Sequence, residues 1–251
     1  MGSAAKRSGH AGYEMKASII IPVYNEFRTL PQVLLRVQNA ALPMGASKEI
    51  IVVDDGSTDG TGQLLDTYKG ESLLIHHSMP NFGKGTAIRV GLAKATGEIM
   101  LIQDGDLEYD PHDYEKLVRP ILEGHAEVVY GSRFLTGVKG MFWKNWIANK
   151  ILTCAANLLY GASITDEATA YKAFHISVLR RMKLECRRFE FCPEVTAKVR
   201  RLGYRIHEVP ISYNPRGIKD GKKIRASDGF QALWTLLRYR LAPQKSFEIR
   251  S

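Results

Sequence analysis

The chain has 251 residues, 45% of them hydrophobic and 24% charged, with a formal net charge of +9. This composition is typical of a globular protein with one large core or two small ones. No stretch contains the roughly 18 uninterrupted apolar residues that a membrane-spanning helix needs, so any membrane contact is expected to be peripheral. The positive charge indicates an anionic partner, which could be nucleic acid, anionic lipid or a phosphorylated substrate.

Residues 1–15 are small, polar and basic, and they are predicted to form a flexible leader, since they lack the apolar segment of a signal peptide. The three cysteines, Cys154, Cys186 and Cys192, form no closely spaced pair and do not indicate a disulfide framework. We therefore expect the protein to function in a reducing, cytoplasmic environment.

Short apolar runs rich in β-branched residues predict strands buried on both faces of a sheet. Strong examples are Ala17–Pro22, Glu49–Asp54 and Gly97–Asp104, and weaker ones are Leu73–Ile75 and Glu127–Tyr130. Between these runs, apolar residues recur with helical spacing. The alternation predicts an α/β fold with a mostly parallel sheet and flanking helices.

The second half of the chain is less regular, and its predicted elements follow one another without a recognisable linker. They are a helix near Trp143–Tyr160, a turn at Thr165–Glu167, a short segment at Tyr171–Phe174, a helix near Glu190–Arg201, a strand at Arg205–Tyr213, a basic loop at Arg216–Arg225 and a helix at Ser227–Leu241.

Polar residues follow four of the predicted strands. In open parallel sheets, ligands bind beyond the carboxyl ends of the strands, so these clusters are expected to converge on one functional edge. The clusters are Pro22–Glu26, Asp54–Asp59, Asp104–Glu108 and Gly131–Arg133.

Asp104 and Asp106 are separated by one residue, and in extended chain such side chains point to the same side. Together with Glu108 they would present carboxylate oxygens, the ligands that Mg²⁺ and Mn²⁺ prefer. An isolated Asp-x-Asp is more often a solvated acidic turn. The three other polar clusters at the same edge favour the metal site.

Ser57, Thr58 and Asp59 suit the N-cap of the following helix. Capping does not require the two acids that precede them, Asp54 and Asp55. A carboxylate at this strand end can accept hydrogen bonds from a base or a ribose.

Arg133 also follows a predicted strand, where it could neutralise a diphosphate or belong to a surface ion pair. In the segment Asn81–Gly85, two glycines surround Lys84 at a predicted helix start. This arrangement favours the approach of an anion to backbone N–H groups, although the spacing is not that of a P-loop.

Two basic segments each allow two interpretations. The loop Arg216–Arg225 could be a solvated face or a mobile lid that grips phosphates. The helix near Trp143–Tyr160 could cover the sheet or lie on anionic lipid. Its polar residues fall on one stripe: Asn145, Asn149, Thr153 and Asn157.

Taken in order, these motifs resemble the inverting GT-A glycosyltransferases of family 2, and within them the dolichyl-phosphate and polyprenyl-phosphate glycosyltransferases. The resemblance extends from Ala17 to about Leu241. Two positions depart from the family pattern: Ala170 stands where glycine is frequent, and Gly105 where alanine or methionine is common. The matching segments are Ile21–Glu26, Val53–Asp59, Asn81–Gly85, Gln103–Glu108, Gly131–Arg133, Asp166–Lys172 and Arg216–Lys223.

The resemblance implies one GT-A (Rossmann-like) catalytic domain at 16–241, with a nucleotide-sugar half at about 16–133, an acceptor half at about 134–241 and a tail at 242–251. It implies a metal site at Asp104, Asp106 and Glu108, and catalytic roles for Asp104, Asp106, Arg133 and Asp166. The expected nucleotide-sugar contacts are Pro22, Tyr24, Asn25, Glu26, Asp54, Asp55, Lys84, Asp104, Arg216 and Lys222.

The activity implied by the resemblance is metal-dependent transfer of a hexose from a nucleotide sugar to a dolichyl or polyprenyl phosphate, with Mg²⁺ or Mn²⁺ as cofactor. GDP-mannose is the first candidate donor and UDP-glucose the second. A phosphate acceptor is already ionised near neutral pH, so Asp166 would orient it without acting as a strong base. Peripheral contact with the cytoplasmic face of a membrane is expected, and a separate membrane-protein partner is a further expectation.

Three other functions share parts of this pattern. A transferase acting on a saccharide hydroxyl would depend strongly on a carboxylate base near Asp166. A nucleotidylyltransferase would need a glycine-rich Arg/Lys signature after its first strand, which Pro22–Glu26 lacks. Nucleic-acid binding would explain the positive charge but not the acidic clusters, so no nucleic-acid partner is expected.

Overall fold

The computed structural model describes residues 15–137, 140–215 and 226–249. Strands and helices alternate through most of this range, and short 3₁₀ turns lie at Pro43–Gly45, Pro111–Asp113 and Gln244–Ser246. The strands are β1 (Lys16–Val23), β2 (Ser47–Asp55), β3 (Leu73–Ser78), β4 (Ile99–Ile102), β5 (Val128–Ser132), β6 (Lys172–His175) and β7 (His207–Pro210). The helices are α1 (Leu30–Asn39), α2 (Thr61–Asp66), α3 (Lys84–Lys94), α4 (Tyr114–Leu122), α5 (Trp143–Tyr160), α6 (Ile176–Arg180), α7 (Phe191–Arg201) and α8 (Ala226–Leu241).

The strands form one seven-stranded sheet in the order β3-β2-β1-β4-β6-β5-β7. β6 runs antiparallel to both β4 and β5, and the other neighbouring strands are parallel. The predicted α/β fold with a mostly parallel sheet and flanking helices is confirmed. The antiparallel strand was predicted only as a short segment, because four residues are too few to show a clear pattern.

The uninterrupted apolar runs of the central strands arise because the sheet is covered on both faces. In β1, Ile19 and Ile21 pack in the core cluster that contains α1 and α4, and Ile20 packs in the cluster that contains α3 and α7. Successive side chains alternate between the faces, so a strand covered on both sides needs apolar residues throughout. A third cluster joins α5, α7 and α8, through side chains such as Leu152 and Leu236.

The predicted cap of α2 is wrong in detail. The N-cap is Gly60, which has a φ of 94° and no side chain to make a capping hydrogen bond. Asp59 instead accepts hydrogen bonds from the backbone N–H of Thr61 at 3.0 Å and from that of Phe27 at 3.2 Å. The loop therefore continues one residue further than predicted, and Asp59 joins it to the segment after β1.

The segment 242–251 was predicted to be a tail, but its described part, 242–249, packs onto the domain. Phe247 is 1% exposed and its ring lies edge-on to Tyr239, with centroids 6.1 Å apart. The backbone N–H of Lys183 donates to the carbonyl of Phe247 at 2.8 Å. None of the described helices combines the length and the hydrophobicity that crossing a bilayer requires.

Candidate active site

The end of β4 is anchored by a buried glutamine. Gln103 is fully buried, and its Oε1 accepts hydrogen bonds from the hydroxyls of Tyr114 at 2.8 Å and Tyr171 at 2.6 Å. Its Nε2 donates to the backbone carbonyl of Asp104 at 3.0 Å. Gln103 therefore fixes the backbone from which Asp104 projects. Sequence reasoning assigned it no role, although a polar residue closing an apolar strand was a usable signal.

Asp104 is paired with Lys84, the first residue of α3. The Lys84 Nζ donates a hydrogen bond to Oδ1 of Asp104. Burial acts to lower the pKa of Lys84, but the nearby acidic groups, Asp104 foremost among them, together outweigh it, and the pKa is raised. The side chains are 22% and 17% exposed, so both charges remain accessible to a ligand at the carboxyl edge of the sheet.

Asp106 and Glu108 lie in the turn after Asp104. Oδ1 of Asp106 accepts a hydrogen bond from the backbone N–H of Glu108 at 3.0 Å. The Glu108 carboxylate accepts one from the Tyr213 hydroxyl at 3.3 Å. Burial, together with this carboxylate, raises the pKa of Tyr213 to about 12, so the hydroxyl stays protonated.

The predicted three-carboxylate metal site is corrected by this arrangement. Within the described ranges, no three His, Cys, Asp or Glu side chains are grouped so that they could hold a metal ion. Glu108 is directed to Tyr213, which leaves Asp104 and Asp106 as the candidate pair. Two carboxylates fit a hard divalent cation that completes its shell with water and substrate phosphates. The donor set present is thus chemically suited to Mg²⁺ or Mn²⁺.

The segment after β1 is tied to its neighbours on both sides. Asn25, at a φ of 54°, donates from its backbone N–H to Ser57 Oγ at 2.9 Å. Glu26 accepts a hydrogen bond from the Thr29 hydroxyl at 2.8 Å, and the same hydroxyl lies 3.1 Å from the carbonyl of Gly105. Pro22 and Tyr24, the other predicted contacts here, are both half-buried.

Gly105 permits the close approach of this segment to the turn after β4. A Cβ at Gly105 would lie 2.7 Å from Cγ1 of Val23 and 3.6 Å from Cγ of Glu26. The contact with Val23 is shorter than carbon atoms tolerate, whereas the distance to Glu26 is an ordinary van der Waals contact. The glycine therefore allows the ends of β1 and β4 to pack together.

The two acids that end β2, Asp54 and Asp55, each accept hydrogen bonds from backbone N–H groups of a nearby loop. Asp55 is 3% exposed, and its carboxylate accepts from the backbone N–H groups of Phe82 at 2.9 Å and Gly83 at 2.6 Å. Burial raises the pKa of Asp55, and the two hydrogen bonds act against this shift. Asp54 accepts from Ser57 N–H at 3.1 Å and lies 3.1 Å from the ring nitrogen Nδ1 of His77.

The two glycines at the start of α3 serve packing, which corrects the predicted anion-binding role of their N–H groups. A Cβ on Gly83 would lie 2.5 Å from the carbonyl oxygen of Arg187, and one on Gly85 would lie 2.6 Å from that of Cys186. The N–H of Gly85 donates to the carbonyl of Arg188 at 3.2 Å. These donors are already used by the protein itself.

Arg133 and Asp166 form a buried ion pair between the end of β5 and the turn before β6. Nε and Nη2 of Arg133 donate to the two carboxylate oxygens at 2.7 and 2.8 Å, and the Arg133 backbone N–H donates at 3.1 Å. Asn149 of α5 donates to the same carboxylate at 2.6 Å. Burial acts to raise the pKa of Asp166, but the charge of Arg133 and the hydrogen bonds from Arg133 and Asn149 together outweigh it, and the pKa is lowered.

This pairing shows where two of the predicted site residues lie. Arg133 was expected to contact a diphosphate, but two of its side-chain nitrogens bind Asp166 and it is 8% exposed. Asp166 was expected to face the acceptor, yet it is fully buried. Glu208 of β7, unnoticed in the sequence, accepts from the backbone N–H groups of Thr165 at 2.8 Å and Asp166 at 3.1 Å. Arg133 and Asp166 therefore position the backbone of the acceptor half.

Tyr213 connects the turn that carries Glu108 with the Arg133–Asp166 pair. The guanidinium carbon of Arg133 lies 5.0 Å from the centre of the Tyr213 ring, and the Tyr213 hydroxyl reaches Glu108. The predicted site residues are thus connected along one edge of the sheet, from Asp55 to Asp166. Arg216 and Lys222 lie outside the described residues.

A mostly parallel sheet with a lysine-paired aspartate and a second carboxylate at its carboxyl edge is the arrangement expected of a GT-A glycosyltransferase. The model of the family Glycosyl transferase family 2 matches residues 18–187, and the chain belongs to this family. The family resemblance expected from the motifs is confirmed, and the chain is a glycosyltransferase.

Curated relatives are named for transfer to lipid phosphates. The chain is 31% identical over 241 residues to an undecaprenyl-phosphate mannosyltransferase of Micrococcus luteus, covering 91% of this chain and 95% of the relative. It is 31% identical over 180 residues to an undecaprenyl-phosphate 4-deoxy-4-formamido-L-arabinose transferase of Pseudomonas aeruginosa. That match covers 70% of this chain and 52% of the relative, so the chain spans about half of the latter's length.

Solved structures confirm the fold. Glucosyl-3-phosphoglycerate synthase from Mycobacterium tuberculosis, solved with UDP, superposes with a TM-score of 0.71 at 20% identity, covering 91% of this chain and 81% of that one. The same enzyme with Mn²⁺, UDP and glucosyl-3-phosphoglycerate gives a TM-score of 0.70 at 20% identity, with the same coverage of both chains.

Proposed function

We propose that this glycosyltransferase moves a hexose from a nucleotide sugar to a polyprenyl phosphate in one inverting displacement. The observation that carries the proposal is the Lys84–Asp104 pair at the carboxyl end of β4, in a chain that matches an undecaprenyl-phosphate mannosyltransferase over 91% of its length. The mannosyl activity in that relative's name favours GDP-mannose as donor. UDP-glucose is second, because the solved structure with the same fold was determined with UDP.

The donor half would bind the nucleotide along the ends of β1 and β2. Pro22 lies near the end of β1, Tyr24, Asn25 and Glu26 form the segment after it, and Asp55 holds the loop that precedes Lys84. Asp54 supports the turn at Ser57, so we assign it a structural part in this pocket.

A divalent cation, Mg²⁺ or Mn²⁺, would be held by Asp104 and Asp106. When bound, it supplies positive charge that stabilises the leaving diphosphate. Lys84 contributes a second positive charge beside Asp104. Arg216 and Lys222 remain proposed phosphate contacts on the strength of the motif resemblance. This arrangement requires no covalent intermediate.

A phosphate acceptor is consistent with the chemistry of Asp166. Its lowered pKa keeps the carboxylate ionised near neutral pH, and its complete burial in contact with Arg133 and Asn149 leaves it poorly suited to remove a proton from substrate. A lipid phosphate is itself anionic and needs little help from a base. Transfer to a saccharide hydroxyl, the alternative, would need a stronger and more accessible base.

A polyprenyl-phosphate acceptor is embedded in a bilayer, so the enzyme has to reach the lipid surface. We therefore place the protein peripherally at the cytoplasmic face of a membrane. A separate membrane-protein partner would bring it to the same surface and is the alternative route.

A donor panel tests the proposal. The purified protein is incubated with polyprenyl phosphate in detergent and one radiolabelled nucleotide sugar at a time, with Mg²⁺, with Mn²⁺ or with EDTA. We expect label in the organic phase from one donor, GDP-mannose before UDP-glucose, and none with EDTA. Label in a saccharide acceptor but never in the organic phase would overturn the proposal.

A further inference from the structure

The polarity of α5 is inverted relative to an ordinary surface helix. Its polar stripe faces inward: Asn149 is 4% exposed and Thr153 is 5% exposed. Thr153 accepts from the backbone N–H of Glu167 at 3.0 Å, and Asn157 donates to the carbonyl of Ile164 at 2.8 Å. Polar residues on α5 are therefore needed to hold the loop that carries Asp166.

The opposite side of α5 is apolar and faces outward. The exposed fractions are 60% for Trp143, 41% for Ile147, 52% for Ile151 and 81% for Leu158. These positions recur every third or fourth residue or at a multiple of that spacing, so they form one stripe along the helix. A surface helix normally presents its polar face to water, and this one presents its apolar face.

α8 repeats the same pattern. Its exposed apolar residues are Phe230, Trp234, Leu237 and Leu241, which are 76%, 65%, 46% and 84% exposed. They too follow helical spacing on one side of the helix. The two helices are neighbours, because Leu236 shares a core cluster with residues of α5 and accepts a hydrogen bond from the Tyr160 hydroxyl. We call the two exposed stripes together the α5–α8 surface.

Two further features match this surface to lipid. The chain contains three tryptophans: Trp143 and Trp234 belong to this surface, and Trp146, 45% exposed, lies on the same helix as Trp143. Tryptophan favours the boundary between headgroups and hydrocarbon. The two helices carry four basic residues and one acid, Asp228, which is 8% exposed. The basic residues are Lys144, Lys150, Arg238 and Arg240.

We propose that the α5–α8 surface docks the protein onto an anionic lipid bilayer. Apolar side chains enter the interfacial region, and the basic residues attract anionic headgroups. Because the inner face of α5 holds the Asp166 loop, docking would bring the acceptor half of the site close to the membrane. The inference deepens the proposed function, on which its choice of a membrane-embedded acceptor rests.

Tryptophan fluorescence tests this proposal directly. The wild-type protein is mixed with vesicles of phosphatidylcholine alone or of phosphatidylcholine with phosphatidylglycerol, each also prepared with brominated acyl chains. We expect a blue-shifted tryptophan emission, and quenching by brominated lipid, with the anionic vesicles. Unchanged emission and no quenching with anionic vesicles would overturn the proposal.

Variants locate the contact. Trp234→Glu on α8 and Ile147→Glu on α5 should each weaken vesicle partition by about tenfold or more, since burial of one large apolar side chain is worth at least that factor. The matched control is Leu35→Glu on α1, where the leucine is 57% exposed and lies outside this surface. Equal loss of binding in the control, or none in either variant, would contradict the assignment.

Two further measurements distinguish membrane docking from dimer formation and from the transfer activity itself. Sedimentation without lipid is expected to show a monomer, and a stable dimer with protected tryptophans would assign the surface to a second copy and overturn the proposal. Transfer to a water-soluble short-chain polyprenyl phosphate should survive in Trp234→Glu. Vesicle binding by a protein that transfers to no lipid phosphate would support docking while rejecting the proposed function.

Discussion

Arg133 and Asp166 neutralise each other through two parallel hydrogen bonds of 2.7 and 2.8 Å in the protein interior. The pair joins the end of β5 to the turn before β6. Removing one member of a buried pair leaves an uncompensated charge, which costs more than the loss of the attraction alone. The two residues therefore act as one structural unit beside the site.

The first prediction follows from that unit. Asp166→Asn should lower the free energy of unfolding by about 3–5 kcal/mol, because Arg133 remains charged and buried. The double variant Arg133→Met/Asp166→Leu should lose less than the sum of the two single changes, as measured by urea unfolding. An Asp166→Asn protein that is fully stable but inactive would instead identify Asp166 as a catalytic base.

The second prediction concerns the β4 edge. Asp104→Asn should reduce kcat/KM by about 100-fold or more, since a charge that stabilises the leaving group is lost. The matched control is Asp110→Asn, an exposed aspartate further along the same loop that bonds to His112. It should retain wild-type activity. Full activity of Asp104→Asn at saturating metal would reject the assignment.

The third prediction tests the close packing of the ends of β1 and β4. Gly105→Ala should cost about 1–3 kcal/mol of stability and reduce activity, because the new methyl group meets Val23. Val23→Ala in the same protein should restore part of both. Gly229→Ala, in open space on α8, is the control and should be neutral or slightly stabilising. Chemical denaturation and donor turnover of the variants would measure the effects, and an unperturbed Gly105→Ala would contradict the geometry.

The fourth prediction is a pH dependence of stability. Burial acts to raise the pKa of Glu49, but hydrogen bonds from Lys16, Ser18 and Thr96 outweigh it and lower the pKa to about 2. A carboxylate with a lowered folded-state pKa adds stability above its ordinary pKa, and that stability is lost as pH falls through about 2.

Glu49→Gln should therefore be less stable than wild type by roughly 2 kcal/mol near neutral pH, allowing for partial screening by solvent. The difference should shrink as the pH is lowered through the acidic range. Urea unfolding at several pH values measures it, with the exposed Glu115→Gln as control. A difference that stays constant with pH would show that Glu49 stabilises the fold through the packing of its side chain and not through its charge.

The fold, and the sheet edge that carries the site, could be predicted from local sequence patterns. β1, β2 and β4 are covered on both faces, so each contains an unbroken apolar run that is readable without a structure. β6 has four residues and includes the fully buried Lys172, so it carries no such pattern. Its antiparallel insertion between β4 and β5 depends on the path of the whole chain.

Side-chain pairing was less predictable than strand position. Arg133 and Asp166 are 33 residues apart, and each was predicted to face a substrate because no sequence pattern links them. Gln103 was visible in the sequence, but its two tyrosine partners lie in other elements. The polar stripe of α5 was recognised, whereas its inward orientation depends on the loop it holds.

The central claim, transfer of a sugar to a lipid phosphate, is tested most directly by acceptor substitution. The purified enzyme is supplied with its donor and metal and offered polyprenyl phosphate, the corresponding polyprenol or a free saccharide. We predict product with the phosphate and none with the alcohol or the saccharide. Efficient transfer to the polyprenol or the saccharide, with no product from polyprenyl phosphate, would contradict the account.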